Sequence, residues 1–253
     1  MKPIRAGITM GNCCVYAQIP SDAQPEEKTL NSAQAELRFH LHKAEHVAEV
    51  IATNSTDNVV SAGQMNAIGT ALRLNLTDID TIDSRLFKFY KNFKAKGGNF
   101  DARKLTLLGV LLGKGSLQTK IELYFRCIPA KASSSVGDLE VKSMFDALVN
   151  IAAVHLLSYS ADSPGLTRAQ VDDYRERLQV GKSAIVSRLM TTFMSTVRTV
   201  EREKFLQQAK FHSAFVRCLL SPARLRTEIL TEAANIQKSS ALKEALPSLS
   251  PGT

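Results

Sequence analysis

One pattern constrains this chain more than any other. Apolar residues at helical spacing give way to a short polar or glycine-containing break, and the alternation recurs at intervals of about forty residues. Leu37, Leu41, Ala44, Val47 and Ile51 predict a helix over residues 30–52, with Asn31 or Ser32 at its start. A polar run over 53–58 and the β-branched pair Val59-Val60 follow, and Ser61 opens a helix carrying Met65, Ile68, Ala71 and Leu72. Thr77, three residues before Asp80, resembles a capping box. It predicts a helix holding Ile79, Ile82, Leu86, Phe89 and Phe93 that breaks at Gly97-Gly98. Further helices carry Leu105, Leu108, Leu111 and Leu112, then Ile121, Tyr124, Phe125 and Ile128 up to Pro129, then Val141, Phe145, Leu148, Ile151 and Ala152. Residues 160–166 read as a linker. Helical spacing then resumes through Ile185, Leu189 and Phe193, through Phe205, Leu206 and Ala209, and through Phe215, Leu219 and Leu220 to Leu225, Ile229 and Leu230. The expected fold class is all-α.

A calcium-binding helix–loop–helix has a twelve-residue loop. Side chains at positions 1, 3, 5 and 12 and the carbonyl at 7 hold the ion, and a glycine at 6 allows the sharp turn. An apolar residue at 8 pairs with the neighbouring loop. That frame fits at residues 53–64, with Asn58 at 6 and Val60 at 8, and asparagine tolerates the left-handed backbone. It fits at 93–104, with Gly98 at 6 and Phe100 at 8, and at 132–143, with Gly137 at 6 and Leu139 at 8. A fainter fourth frame runs from Phe193 to Lys204, with Arg198 at the glycine position.

On these residues the chain resembles the calmodulin and neuronal-calcium-sensor superfamily of EF-hand proteins. Val60-Ser61-Ala62-Gly63-Gln64-Met65 with Leu74 and Leu76-Thr77-Asp78 is similar to an exit helix and its linker into the next hand. Leu112-Gly113-Lys114-Gly115-Ser116, followed by Lys120 and Phe125, is similar to a junction between hands. Residues 105–159 also resemble the EF-like region that precedes the TLDc domain in some proteins. The resemblance spans roughly 45–155, with an echo at 180–220. It implies EF-hand-like helix–loop–helix pairs with minimal β contacts between paired loops.

The ligands depart from that family. The 93–104 loop offers Phe93, Ala95, Gly97 and Lys104, and the 132–143 loop offers Ala132, Ser134, Val136 and Ser143, so neither supplies a carboxylate. Thr53, Ser55, Asp57 and Gln64 are the least damaged set: one carboxylate and three neutral oxygens, a weak Ca2+ site. Retained spacing with lost ligands points to no required cofactor. The implied role is a non-catalytic, calcium-independent adaptor or structural subunit that holds a protein partner in apolar grooves between helices.

The net charge of +8 favours an acidic surface on that partner. Hydrophobic residues make up 44%, enough for an ordinary core. No uninterrupted apolar run reaches the roughly 18 residues of a membrane span. Four cysteines, two of them adjacent, suit neither a disulfide framework nor a zinc site, and a reducing cytoplasm is the simplest compartment. Met10-Gly11-Asn12-Cys13-Cys14 matches a lipidation signal if translation starts at Met10. Gly11 would then take myristate and Cys13 and Cys14 palmitate, giving membrane or cytoskeletal association.

The domain reading is a flexible arm at 1–30, a helical domain at 31–158, a second helical half at 167–235 and a tail at 236–253. Gly181-Lys182-Ser183 lacks the first glycine of a phosphate loop and reads as a helix start. His42 and His46 flank Glu45 but not in the zinc-protease order, so they read as a polar helix face. Arg85, Lys88, Lys91, Lys94, Lys96, Arg103 and Lys104 interleave with Phe87, Phe89, Tyr90, Phe93 and Phe100. Helical spacing sends those aromatics inward and the lysines to solvent, against a role in nucleic-acid binding. Two rival readings stand beside the adaptor: a membrane-tethered calcium sensor with one weak loop, and a basic helical nucleic-acid-binding protein.

Overall fold

The computed structural model describes residues 26–95, 97–129, 135–161, 163–195 and 197–245. Short polar side chains start the helices. Ser61, Ser84, Asp101, Ser116 and Thr167 each accept a hydrogen bond from the backbone N–H three residues on. They open α3 (Ala62–Ala71), α4 (Arg85–Lys91), α5 (Ala102–Leu112), α6 (Leu117–Arg126) and α9 (Arg168–Met194). Such a cap satisfies a donor that the first helical turn leaves unpaired. The remaining helices are α1 (Glu26–Ala35), α2 (Ala44–Thr53), α7 (Asp138–Asn150), α8 (Leu156–Ser160), α10 (Arg202–Phe211), α11 (Ser213–Val216) and α12 (Pro222–Ala245). A π turn, Ile151–His155, joins α7 to α8. The fold is all-α, with β structure among the described residues confined to two small ladders and a few isolated bridges.

Those ladders join the helix–loop–helix units in pairs. β1 (Val59–Val60) runs antiparallel to β2 (Phe100–Asp101), with Val60 opposite Phe100. β3 (Ser135–Gly137) pairs in the same way with β4 (Thr199–Glu201), with Val136 opposite Val200. All four of these facing residues are buried. In the first, second and fourth frames the residue expected at position 8 is the one found in the ladder. The third frame is displaced. Val136, not Leu139, fills the inward place, and Leu139 is 75% exposed. Gly137, read from sequence as the sharp-turn residue, is the N-cap of α7 in ordinary extended backbone.

Four other expectations change. The single helix over 30–52 is broken at Arg38, whose φ is 66°, and a 3-10 turn, Phe39–Leu41, follows. The break turns Phe39 into the core against Gly109 and leaves Leu41 half exposed. It also lets α1 pack on α8 and α9 while α2 packs on α5. The helix expected from Thr77 begins instead at Arg85, because Ser84 caps it and Asp83 adopts φ 70°. Residues 26–30, read as part of a flexible arm, belong to α1, and residues 236–245, read as part of a tail, belong to α12. Gly181-Lys182-Ser183 lies inside α9, where Gly181 meets α12. A Cβ there would collide with the Ile229 carbonyl oxygen, so glycine permits the close crossing.

Among the described residues one helix is long and apolar enough, by length and composition, to cross a membrane, which the sequence reading did not expect. Asp138–Ser160 spans 23 residues, and its most apolar 18-residue window has mean hydropathy 1.3 and is 56% buried in the fold. Its apolar face is spent on the core. Phe145 packs with Phe193 at 5.3 Å between ring centroids, and Phe193 stacks on Phe205 at 4.3 Å. The basic segment near 90 sorts only in part: Phe89, Tyr90, Phe93 and Phe100 are buried and Lys88 and Lys91 exposed, but Phe87, Lys94, Arg103 and Lys104 are half-buried. Arg85 departs from the pattern. Its guanidinium donates to the Tyr159 carbonyl oxygen, to Glu36 and to Ser163 Oγ, clasping α4 to α1 and α8.

A second clasp is fully buried. Arg226 on α12 donates from Nε and Nη2 to the two carboxylate oxygens of Glu27 on α1, both at 2.6 Å. Tyr174 on α9 donates its hydroxyl to Glu27 Oε1 at 2.6 Å, and Arg226 Nη1 donates to the Ala152 carbonyl of the π turn at 2.9 Å. Burial alone would raise the Glu27 pKa, but the Arg226 charge and the two hydrogen-bond donors outweigh it, and the net shift is downward. A lowered folded-state pKa contributes stability above the unfolded value that is lost as pH falls through the carboxylate range. Glu27→Gln should therefore lower unfolding free energy at neutral pH by about 3–5 kcal/mol, because it strands a buried guanidinium. Urea unfolding should show the loss, whereas removing the exposed Lys142–Asp146 pair should cost under about 1 kcal/mol.

Candidate functional site

The least damaged loop, 53–64, closes on itself. Thr56 and Val59 exchange backbone hydrogen bonds, each 2.9 Å, around Asp57 (φ 52°) and Asn58 (φ 63°). Two left-handed residues between a reciprocally bonded pair make a tight hairpin turn. The Val59 carbonyl, the one a cation would need, thereby accepts the Thr56 N–H. Gln64 is also committed. Its Oε1 accepts from Ser61 N at 2.8 Å and its Nε2 donates to Thr56 Oγ1 at 3.4 Å. Ser55 Oγ donates to the Ala52 carbonyl at 3.1 Å, Thr53 is the last residue of α2, and Asp57 is exposed. The four sequence-predicted residues are thus close along the chain, but two of them spend their side chains on helix ends.

The partner loop, 93–104, follows the same economy. The Asn99 carbonyl, again at the seventh place, accepts the Ala95 N–H at 2.7 Å. The Phe93 carbonyl accepts from Asp101 N at 2.8 Å while its ring is buried. Gly98 has φ 85°, the left-handed conformation its place in the frame requires. Lys104 stands where the bidentate glutamate would be, and its backbone N–H is capped by Asp101. The Asn58 carbonyl accepts the Ala102 N–H at 3.0 Å, which ties the two loops beyond their ladder. In the third frame Ala132 and Ser134 lie outside the described residues, Val136 is in the ladder and Ser143 is in α7. Among the described residues no three His, Cys, Asp or Glu side chains are grouped to hold a metal ion.

Gly11, Cys13 and Cys14 lie outside the described residues. Cys127 and Cys218 are buried free thiols, and burial pushes Cys127 up to about 12 and Cys218 further in the same direction. They are therefore poor nucleophiles at neutral pH. His42 and His46 share a helix-end region with ring centroids 6.0 Å apart, and His42 Nε2 lies 2.6 Å from the Leu72 carbonyl oxygen, which it serves as a helix-end partner.

Sequence reasoning missed a second buried polar cluster. Lys120 on α6 is 2% exposed. Its Nζ donates to the Leu111 carbonyl at 3.1 Å and the Leu220 carbonyl at 2.7 Å. One turn further on, Tyr124 donates to the Leu219 carbonyl at 3.0 Å. The two side chains seize the 3-10 turn Arg217–Leu220 and hold it over α6, and α12 continues from there along α9. The entry helices of the second pair are thus covered by this chain's own C-terminal segment. In the first pair, α8 packs on α4. The available signal was the spacing of Lys120, Ile121 and Tyr124, which puts the lysine on the apolar side of its helix.

No protein-family model, curated protein or solved structure matches this chain.

Burial alone pushes Lys120 down to about 7 from 10.5. In that window the unfolded chain holds a proton that the folded chain has released, so stability from this group rises with pH. The urea midpoint of the parent should climb from about pH 7 to 9 relative to that of Lys120→Met, which lacks the titrating group. Parallel pH profiles for the two proteins would show that Lys120 keeps its charge in the fold.

Proposed function

We propose that this chain is a non-catalytic, calcium-independent adaptor or structural subunit built on the EF-hand plan, and that it binds a protein partner through apolar surfaces between its helix pairs. One observation carries the reading. In both loops of the first pair the seventh carbonyl is taken by a backbone N–H of the same loop, and position 12 is held by a capping Gln64 or by Lys104. The loops therefore close without a cation, and the ladder between them persists on protein hydrogen bonds and buried apolar contacts alone.

The proposed partner is an amphipathic helix with acidic flanks, matched to the net charge of +8. On the second pair such a helix competes with the chain's own Arg217–Leu220 turn for α6, so partner binding there is coupled to release of the C-terminal segment.

Calorimetric titration of calcium into chelator-stripped protein, with physiological magnesium present, tests the proposal. The expected result is no binding heat and no change in helical signal. Micromolar binding that Asp57→Ala abolishes would overturn it and make the chain a calcium sensor with one working loop.

A further inference from the structure

Two arginines occupy backbone positions where glycine is the usual residue, and both line one cavity. α3 ends with Leu74 N–H donating to the Gly69 carbonyl at 2.9 Å and Arg73 N–H donating to the Thr70 carbonyl at 3.2 Å. This is a Schellman closure whose left-handed residue is Arg73, with φ 47°. Arg38 ends the last turn after α1 with φ 66°, and its N–H donates to the Ala35 carbonyl at 3.0 Å. An L side chain is strained in that region and glycine is not, so the backbone gains nothing from an arginine at either place. Strain of this kind is kept where the side chain itself has a use.

The two turns meet at one site, and both arginines line it. Arg38 Nη1 donates to the Arg73 carbonyl oxygen at 3.4 Å, which fixes the two turns to each other. Between them opens a cavity of about 440 Å³ with Asn66, Thr70 and Thr77 on its polar rim and Leu76 in its wall. No residue lining it is acidic. The Thr70 hydroxyl donates to the Asn66 carbonyl and the Thr77 hydroxyl to Asn75 Oδ1, which leaves the guanidinium groups as the charged donors. Neither arginine has a carboxylate partner among the described residues. Two arginines lining one opening that has no acidic residue suit a dianion better than a single carboxylate, because a guanidinium can meet phosphate oxygens in a bidentate pair.

We infer that the Arg38–Arg73 cavity is a phosphate-binding site, taking the phosphomonoester of a soluble small molecule or of a lipid head group. This goes beyond the adaptor reading and does not depend on the loops.

The test uses the full chain with Arg38→Gly, Arg73→Gly and the double variant. Glycine relieves the strained backbone, so each variant should melt no lower than the parent, and loss of fold cannot mimic loss of binding. Inorganic phosphate is titrated and followed by calorimetry. Vesicles of phosphatidylcholine with and without phosphatidic acid form the second arm. The parent should bind phosphate, and the double variant should bind at least roughly tenfold more weakly. A charge-matched control, Lys91→Ser with Lys238→Ser, should bind as the parent does. Capture by phosphatidic acid vesicles that the double variant loses would identify the lipid source, and binding of soluble phosphate without vesicle capture the soluble one. No binding in either arm at millimolar phosphate, equal binding by the double variant, or equal weakening in the lysine control would overturn the inference.

Discussion

The buried pair between Glu27 and Arg226 is the interaction on which the arrangement of this molecule turns. Two charges removed from water cost several kcal/mol each, and that cost is offset only when geometry and additional hydrogen bonds are nearly complete. Here the fork is bidentate, Tyr174 supplies a further donor to the carboxylate, and the π turn offers the Ala152 carbonyl to the remaining nitrogen. A π turn shifts the hydrogen-bond ladder by one residue and so disturbs its neighbours' carbonyls, which is how a helix interior comes to serve an arginine. Satisfying this pair requires α1, α9, α12 and the α7–α8 junction to meet at one point. The first described helix and the last are thereby locked together through α9 and the π turn.

The loop pairs rest on a different economy. Each ladder is only two or three residues long, too short to be stable alone. What holds it is the apolar residue at its centre together with the helix caps on its flanks: Val60 with Ser61, and Phe100 with Asp101. Phe93 and Phe193 stand where an acidic ligand opens a calcium loop, and both are buried. An aromatic ring there converts the loop entrance from a polar cradle into part of the core. Lys120 and Tyr124 extend that logic, since they spend polar atoms on holding a C-terminal turn over α6 rather than on a ligand.

How much of this was legible depends on the range over which each signal acts. Ser61 announced its helix because a cap acts within three residues. The ladder residues Val60, Phe100 and Val200 were legible because a β-branched or aromatic residue just before a cap can only point inward. The third frame failed because Gly137 imitates a turn glycine, and no local signal separates that role from an N-cap. Arg38 hid a chain break, because arginine gives no hint of a left-handed backbone. Of the weak cation set, the structure shows that Gln64 and Ser55 serve helix ends, a use that depends on hydrogen-bond geometry rather than residue type.

The sequence by itself determined the helical class, the capped start of α3, the pairing residues of three loops and the loss of carboxylates from the loop positions. These are local properties, decided by spacing, capping and side-chain charge within a turn or two. Only the tertiary structure decided that Glu27 belongs to Arg226, that Lys120 reaches the Leu220 carbonyl and that Arg38 and Arg73 share one cavity. Each of those couples residues from distant parts of the chain or from separate helix ends. Their energies come from desolvation and directional hydrogen bonds, and these exist only once packing has excluded water and set the groups face to face.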